Sequence, residues 1–96
     1  MIPIKWSPLA VRDLESIRAY ISEDSTRYAD LVVGRIVSSV ERLGRFPESG
    51  RVVPELNVHE LREVVVKPYR VVYRYRAGVV EIVTVFRASR LPPPIE

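Results

Sequence analysis

Cysteine is absent, and with it go disulfide frameworks, thiolate metal sites, redox pairs and thiol nucleophiles. Histidine occurs once, at His59, with no carboxylate cluster at ligand spacing around it, so no metal and no cofactor are expected. Nothing in the sequence sets that histidine beside a serine, as nucleophilic catalysis would require. The four glycines are isolated, which leaves no loop to cradle a phosphate. No apolar run approaches the ~20 residues of a membrane span. The opening Met1-Ile2-Pro3-Ile4-Lys5-Trp6 lacks the charged-then-apolar order of a secretory signal. The expected compartment is the cytoplasm, with no membrane partner.

What is present is a chain of 96 residues, 47% apolar and 28% charged, which fits one globular domain with one unstapled core. The net charge is +3, but it is unevenly placed. Residues 1–50 balance seven cations against seven anions, whereas 51–96 hold eight against five. Within 67–90, Lys67, Arg70, Arg74, Arg76, Arg87 and Arg90 meet a single acid, Glu81. Thirteen of the fifteen cations are arginine, whose planar fork suits carboxylate and phosphate. Such a segment reads as a solvated sheet face or as a docking surface for nucleic acid or an acidic protein. Charge alone leaves both open.

The hydrophobic period organises the rest. Residues 2–6 read as an edge strand, where Pro3 costs little. Ser7-Pro8 then signals a helix start. Ala10, Leu14, Ile17 and Ile21 form its apolar stripe, and Ser22-Glu23-Asp24-Ser25 ends it. A second helix runs from Thr26 on a stripe of Ala29, Val33, Ile36, Val40 and Leu43, with Gly44 as its stop. From Glu60 the period becomes that of strands, at about 60–67, 69–76 and 79–87, with Ala77-Gly78 as a two-residue hairpin loop. Residues 51–59 are expected to be irregular or to form a short strand. The hairpin register sets Arg74 opposite Glu81, Tyr73 opposite Ile82 and Val72 opposite Val83. One face then holds Tyr69, Val71, Tyr73, Tyr75, Val80, Ile82, Thr84 and Phe86. The other holds Arg70, Val72, Arg74, Arg76, Glu81, Val83, Val85 and Arg87. The helices should cover the tyrosine face and leave the arginine face open. The expected fold is α+β: an N-terminal strand, an antiparallel two-helix hairpin, then antiparallel strands in a twisted sheet. Residues 1–90 form this domain, and 91–96 a proline-rich extended tail.

Three stretches carry a family resemblance. They are Ile4-Lys5-Trp6-Ser7-Pro8-Leu9-Ala10 with Asp13, Leu14 and Ile17; Leu43-Gly44-Arg45-Phe46-Pro47-Glu48-Ser49-Gly50-Arg51; and Leu61 through Arg74 with Val83-Thr84-Val85-Phe86-Arg87. In this order and spacing the chain resembles the RelE/ParE superfamily of toxins from bacterial type II toxin–antitoxin pairs. The resemblance implies a cognate antitoxin as partner. It also implies one of two targets. RelE-like members are ribosome-dependent endoribonucleases acting on messenger RNA; ParE-like, plasmid-stabilising members poison DNA gyrase. On the ribonuclease reading Arg62, Arg70, Arg87 and Arg90 would form the catalytic set, Arg70 matching the arginine of the family's Tyr-Arg strand motif. Ungapped alignment, however, puts Ala88 where a second catalytic arginine would stand, and no tyrosine or histidine follows Tyr75. The Phe-Pro-x-x-Gly-Arg stretch also leans toward ParE. The expectation is thus a non-enzymatic, ParE-like toxin that binds target or antitoxin through Arg62, Lys67, Arg70, Arg74, Arg76, Arg87 and Arg90; the alternatives are the ribonuclease and a non-toxic binding module that keeps only the fold.

Overall fold

Two serines set the helical hairpin in place. Ser7 Oγ accepts from the Ala10 amide at 3.0 Å and starts α1 (Pro8–Ser22) behind the short strand β1 (Ile4–Trp6). Ser25 Oγ accepts from the Tyr28 amide at 3.0 Å and starts α2 (Thr26–Leu43). Each hydroxyl satisfies one of the amides a helix start leaves without a partner. The computed structural model describes residues 1–95, so Glu96 of the tail lies outside the described residues. After the hairpin come β2 (Arg51–Val52), β3 (Leu61–Val66), β4 (Tyr69–Arg76) and β5 (Val79–Arg87). They form one sheet in the order β1-β5-β4-β3-β2, antiparallel except where β1 runs parallel beside β5. The expected α+β architecture is the observed one. Among the described residues no helix is long and apolar enough to cross a membrane.

The core lies between the hairpin and one sheet face. Ala10, Val32, Ile36, Val40 and Leu43 of the helices meet Tyr69, Val71, Tyr73, Val80, Ile82 and Val85 of the sheet. Val32 is buried in place of Val33, which is only half-covered. Each valine lies roughly 50° from the centre of the apolar arc at 100° per residue, so helical spacing cannot choose between them and packing does. Gly44 also departs from expectation. It ends α2 with φ −64°, not in the left-handed region. Its carbonyl accepts from the Ile2 amide at 2.8 Å, and a Cβ there would crowd the Ile2 oxygen at 3.2 Å. The glycine admits the N-terminal strand rather than supplying a turn.

The β4–β5 hairpin begins as expected, with Arg74 opposite Glu81 and Tyr73 opposite Ile82. Ala77 (φ 54°) and Gly78 (φ 72°) take the positive angles of a two-residue loop. One step further the register breaks: Val72 faces Thr84, not Val83. The extra residue is a β-bulge, and it exchanges the faces of everything beyond it. Val85 joins the helix-side core, while Phe86, expected among the tyrosines, packs on the far face with Val72 and Val83. Helix α1 satisfies the groups the bulge disturbs. Ser7 Oγ donates to the Val83 carbonyl at 2.8 Å, and Asp13 Oδ2 accepts from Thr84 Oγ1 at 2.6 Å and from the Val85 amide at 2.9 Å.

The far face is not open. Val53, Leu61 and Val72 form a second apolar cluster there, flanked by Leu56, Val83, Phe86 and Ile95. The connection after β2 and the tail both contribute to this layer, so the arginine strand lies beneath a lid of chain. The physical reason is apolar: the uncovered face would expose Val72, Val83 and Phe86 together.

Candidate functional site

Arg70, the most suggestive cation in the sequence, is 5% exposed. Its Nε donates to Glu63 Oε1 at 2.8 Å, and Nη2 donates to the same oxygen at 2.5 Å. Nη1 and Nη2 also form a bidentate pair with Glu55, at 2.9 and 2.7 Å. A longer contact joins Nη1 to the Arg90 carbonyl at 3.5 Å, and the guanidinium lies 5.1 Å from the centre of the Phe86 ring. A guanidinium has five N–H donors, and these partners occupy the fork on every side. The side chain of Glu63 is wholly buried, and its second oxygen accepts from Arg51 Nε at 2.7 Å. Hydrogen bonds from Arg70, then from its own backbone, hold the Glu55 carboxyl at about 2, well below its ordinary 4.5, against the opposing effect of desolvation. Arg70 is held above the usual arginine range, chiefly by Glu55.

The other cations expected at the site do not gather around Arg70. Arg62 lies on the helix side of β3 and donates to the Gly50 carbonyl at 2.9 Å, fastening the loop before β2. The same loop is pinned by Tyr73, whose hydroxyl accepts from the Gly50 amide at 3.0 Å and donates to the Pro47 carbonyl at 2.8 Å. Burial pushes the Tyr73 phenol upward, so it stays a neutral hydrogen-bonding group. The Phe46–Arg51 stretch therefore has a structural account: its backbone groups meet Tyr73 and Arg62, and Arg51 meets Glu63. Arg74 pairs with Glu81 at 3.1 Å and Arg76 with Glu60 at 3.6 Å, at the hairpin tip. Lys67 is exposed in the β3–β4 turn.

Arg87 and Arg90 come together in a groove away from the Arg70 guanidinium, which meets only the backbone carbonyl of Arg90. The bulge turns Arg87 to the helix side, where its guanidinium lies 6.0 Å from the Tyr69 ring centre. Both arginines line a groove of about 600 Å³ between α1 and the end of the sheet, with Asp13, Ile17, Tyr20, Tyr69 and Phe86. An adjoining hollow of about 240 Å³ shares Tyr20, Tyr69 and Arg87 and extends to Tyr28 and Pro68. Tyr20 and Tyr28 are 68% and 51% exposed. Sequence reasoning passed over both; the available signal was an aromatic standing off the apolar stripe of its helix. It also passed over Glu55 and Glu63 as partners of Arg70.

The architecture is shared with small bacterial toxins. A chromosomal ParDE toxin–antitoxin system from P. aeruginosa contains a chain that superposes with a TM-score of 0.75 at 24% identity, covering 91% of this chain and 96% of that one. The RelBE2 toxin–antitoxin complex of Mycobacterium tuberculosis gives 0.65 at 19% identity, covering 90% and 96%. In sequence the chain is 37% identical over 92 residues to Toxin RelE2 of Caulobacter vibrioides, which spans 95% of this chain and all of the relative. Residues 4–92 match the family described as the ParE toxin of the type II toxin–antitoxin system parDE. The chain belongs to this toxin family.

Proposed function

We propose that this toxin acts by binding rather than by cutting RNA, with DNA gyrase as its target, and that a cognate antitoxin neutralises it in the cytoplasm. The observation that carries this reading is the saturation of Arg70. A ribonuclease of this fold needs that arginine free to meet a phosphate, and here two carboxylates occupy it. What remains at the site is arginine, a side chain that makes a poor general acid or base. The groove between α1 and the sheet suits a folding-on-binding antitoxin segment, with Tyr20 and Tyr69 meeting apolar side chains and Arg87 and Arg90 meeting carboxylates. Relatives named for the parDE and RelBE2 toxin–antitoxin systems support the partner.

Expression of the toxin alone should arrest growth, and the antitoxin should restore it. Gyrase-dependent double-strand DNA breaks should follow induction, while messenger RNA on translating ribosomes stays intact. The second reading is the ribosome-dependent ribonuclease, favoured by the likeness to Toxin RelE2. Ribosome-dependent cleavage without DNA breaks would establish it in place of the first.

A further inference from the structure

The ion pairs redistribute the charge that the sequence displays. Six of the thirteen arginines are matched to carboxylates: Arg18, Arg51, Arg62, Arg70, Arg74 and Arg76. Five of these belong to the second half of the chain, where the cation excess lies. The first half is formally neutral, yet it carries the largest ordered set of unmatched cations. Arg27, Arg35, Arg42 and Arg45 follow the solvent face of α2 and its C-terminal end, opposite the buried stripe of Ala29, Val32, Ile36, Val40 and Leu43. At 100° per residue the four fall within an arc of roughly 80°. Among the described residues, Arg27, Arg35 and Arg45 meet no carboxylate, and Arg42 meets only the Ser39 hydroxyl at 3.3 Å. The flanking acids are Asp30, which Arg18 engages, and Glu41.

We propose that this stripe binds the phosphate backbone of a nucleic-acid duplex. At 1.5 Å per residue Arg27, Arg35 and Arg42 span about 22 Å of the helix in steps of about 12 and 10 Å, with Arg45 just past its C-terminal end. Between the arginines stand Leu31, Gly34 and Ser38, all exposed. A Cβ at Gly34 would meet nothing within 4 Å, so a rigid, convex polyanion can approach the helix backbone there. An acidic protein segment anchors through an apolar side chain in a pocket; the hollows beside the exposed Phe46 lie only at the C-terminal end of the stripe, with Arg42 and Arg45, and neither is lined by Arg27 or Arg35. This surface is separate from the groove that holds Arg87, and the proposal holds whichever target the toxin has.

The test is fluorescence anisotropy of the purified full chain with a 20-base-pair DNA duplex of arbitrary sequence, and with an RNA duplex of the same length. Four phosphate contacts predict a slope of log K against log salt near −3.6, a loss of roughly 100-fold between 50 and 200 mM. The triple variant Arg27→Gln/Arg35→Gln/Arg42→Gln should lose at least ~10-fold at 50 mM, with a slope shallower by about 2.7. The control Lys5→Gln/Arg12→Gln, set against Arg27→Gln/Arg35→Gln of equal net charge, should bind within about threefold of the parent. Circular dichroism confirms that every variant is folded. Binding to either duplex with this pattern supports the proposal, and the two duplexes tell DNA from RNA. No binding at 50 mM, equal losses in the two double variants, or tighter binding of a poly-glutamate peptide of matched charge would overturn it.

Discussion

Arg70 offers the sharpest separation between a structural and a catalytic role. Replacing it with leucine leaves the Glu63 carboxylate buried with only Arg51 beside it, and frees Glu55 from its anchor. Removing one partner of a buried ion pair costs about 3–5 kcal/mol, because an unmatched charge stays out of water. In a domain of this size 1 kcal/mol corresponds to about 4–8 °C, so even the lower figure lowers Tm by about 12 °C or more. The companion variant Glu55→Gln/Glu63→Leu/Arg70→Met removes the charges of Arg70 and its two carboxylates, leaves only the solvent-exposed Arg51, and should recover most of that loss, since an apolar replacement of a buried pair is often neutral. Thermal melts followed by circular dichroism at pH 7 measure both. An Arg70→Leu protein that melts within about 3 °C of the parent would refute the structural reading and return Arg70 to the list of groups available for chemistry.

Three further outcomes follow from the geometry. Glu55 is lowered from 4.5 to about 2, so its pairing contributes fully above pH 4.5 and is lost as the pH falls toward 2. Amide exchange in residues 53–60 should accelerate across that window, and Glu55→Gln should remove this pH dependence. Gly50→Ala would bring a Cβ within 2.6 Å of both the Glu63 carbonyl and the Tyr73 hydroxyl, and should destabilise the fold by about 2–3 kcal/mol in urea titration. Ala77→Asn places a residue tolerant of positive φ at 54° and should stabilise by about 0.5–1 kcal/mol, read as a higher urea midpoint with an unchanged slope.

Much of the scaffold was legible in the residues themselves. Ser7-Pro8 and Ser25 mark the helix starts, the switch in apolar period at Glu60 marks the sheet, and Ala77-Gly78 fixes the first pairs of the hairpin. The bulge was not legible, because Val83-Thr84 is ordinary strand sequence with no glycine or proline to flag it. Its supports lie about seventy residues away, at Ser7 and Asp13, and neither announces that role. The cover of the far face was hidden for a similar reason. Glu55 reaches Arg70 across fifteen residues from a segment without periodicity, and the pairing depends on the path of that segment rather than on spacing. Charge counted along the chain therefore pointed in part to cations that folding neutralises, Arg70, Arg74 and Arg76.

The bulge also changes how this chain should be counted against its relatives. Beyond Val83, β5 carries one residue more than its partner strand requires. An ungapped comparison with any relative lacking that residue runs one position out of step from there onward. Shifted by one, the position assigned to Ala88 belongs to Ser89, so restoring the step supplies no arginine there. What the bulge changes is the direction of Arg87, whose guanidinium stands in the groove beside Tyr69, on the opposite face of the sheet from Arg70. A single extra residue thus leaves the sequence of the strand end intact and hands Arg87 to a different surface from the one that holds Arg70.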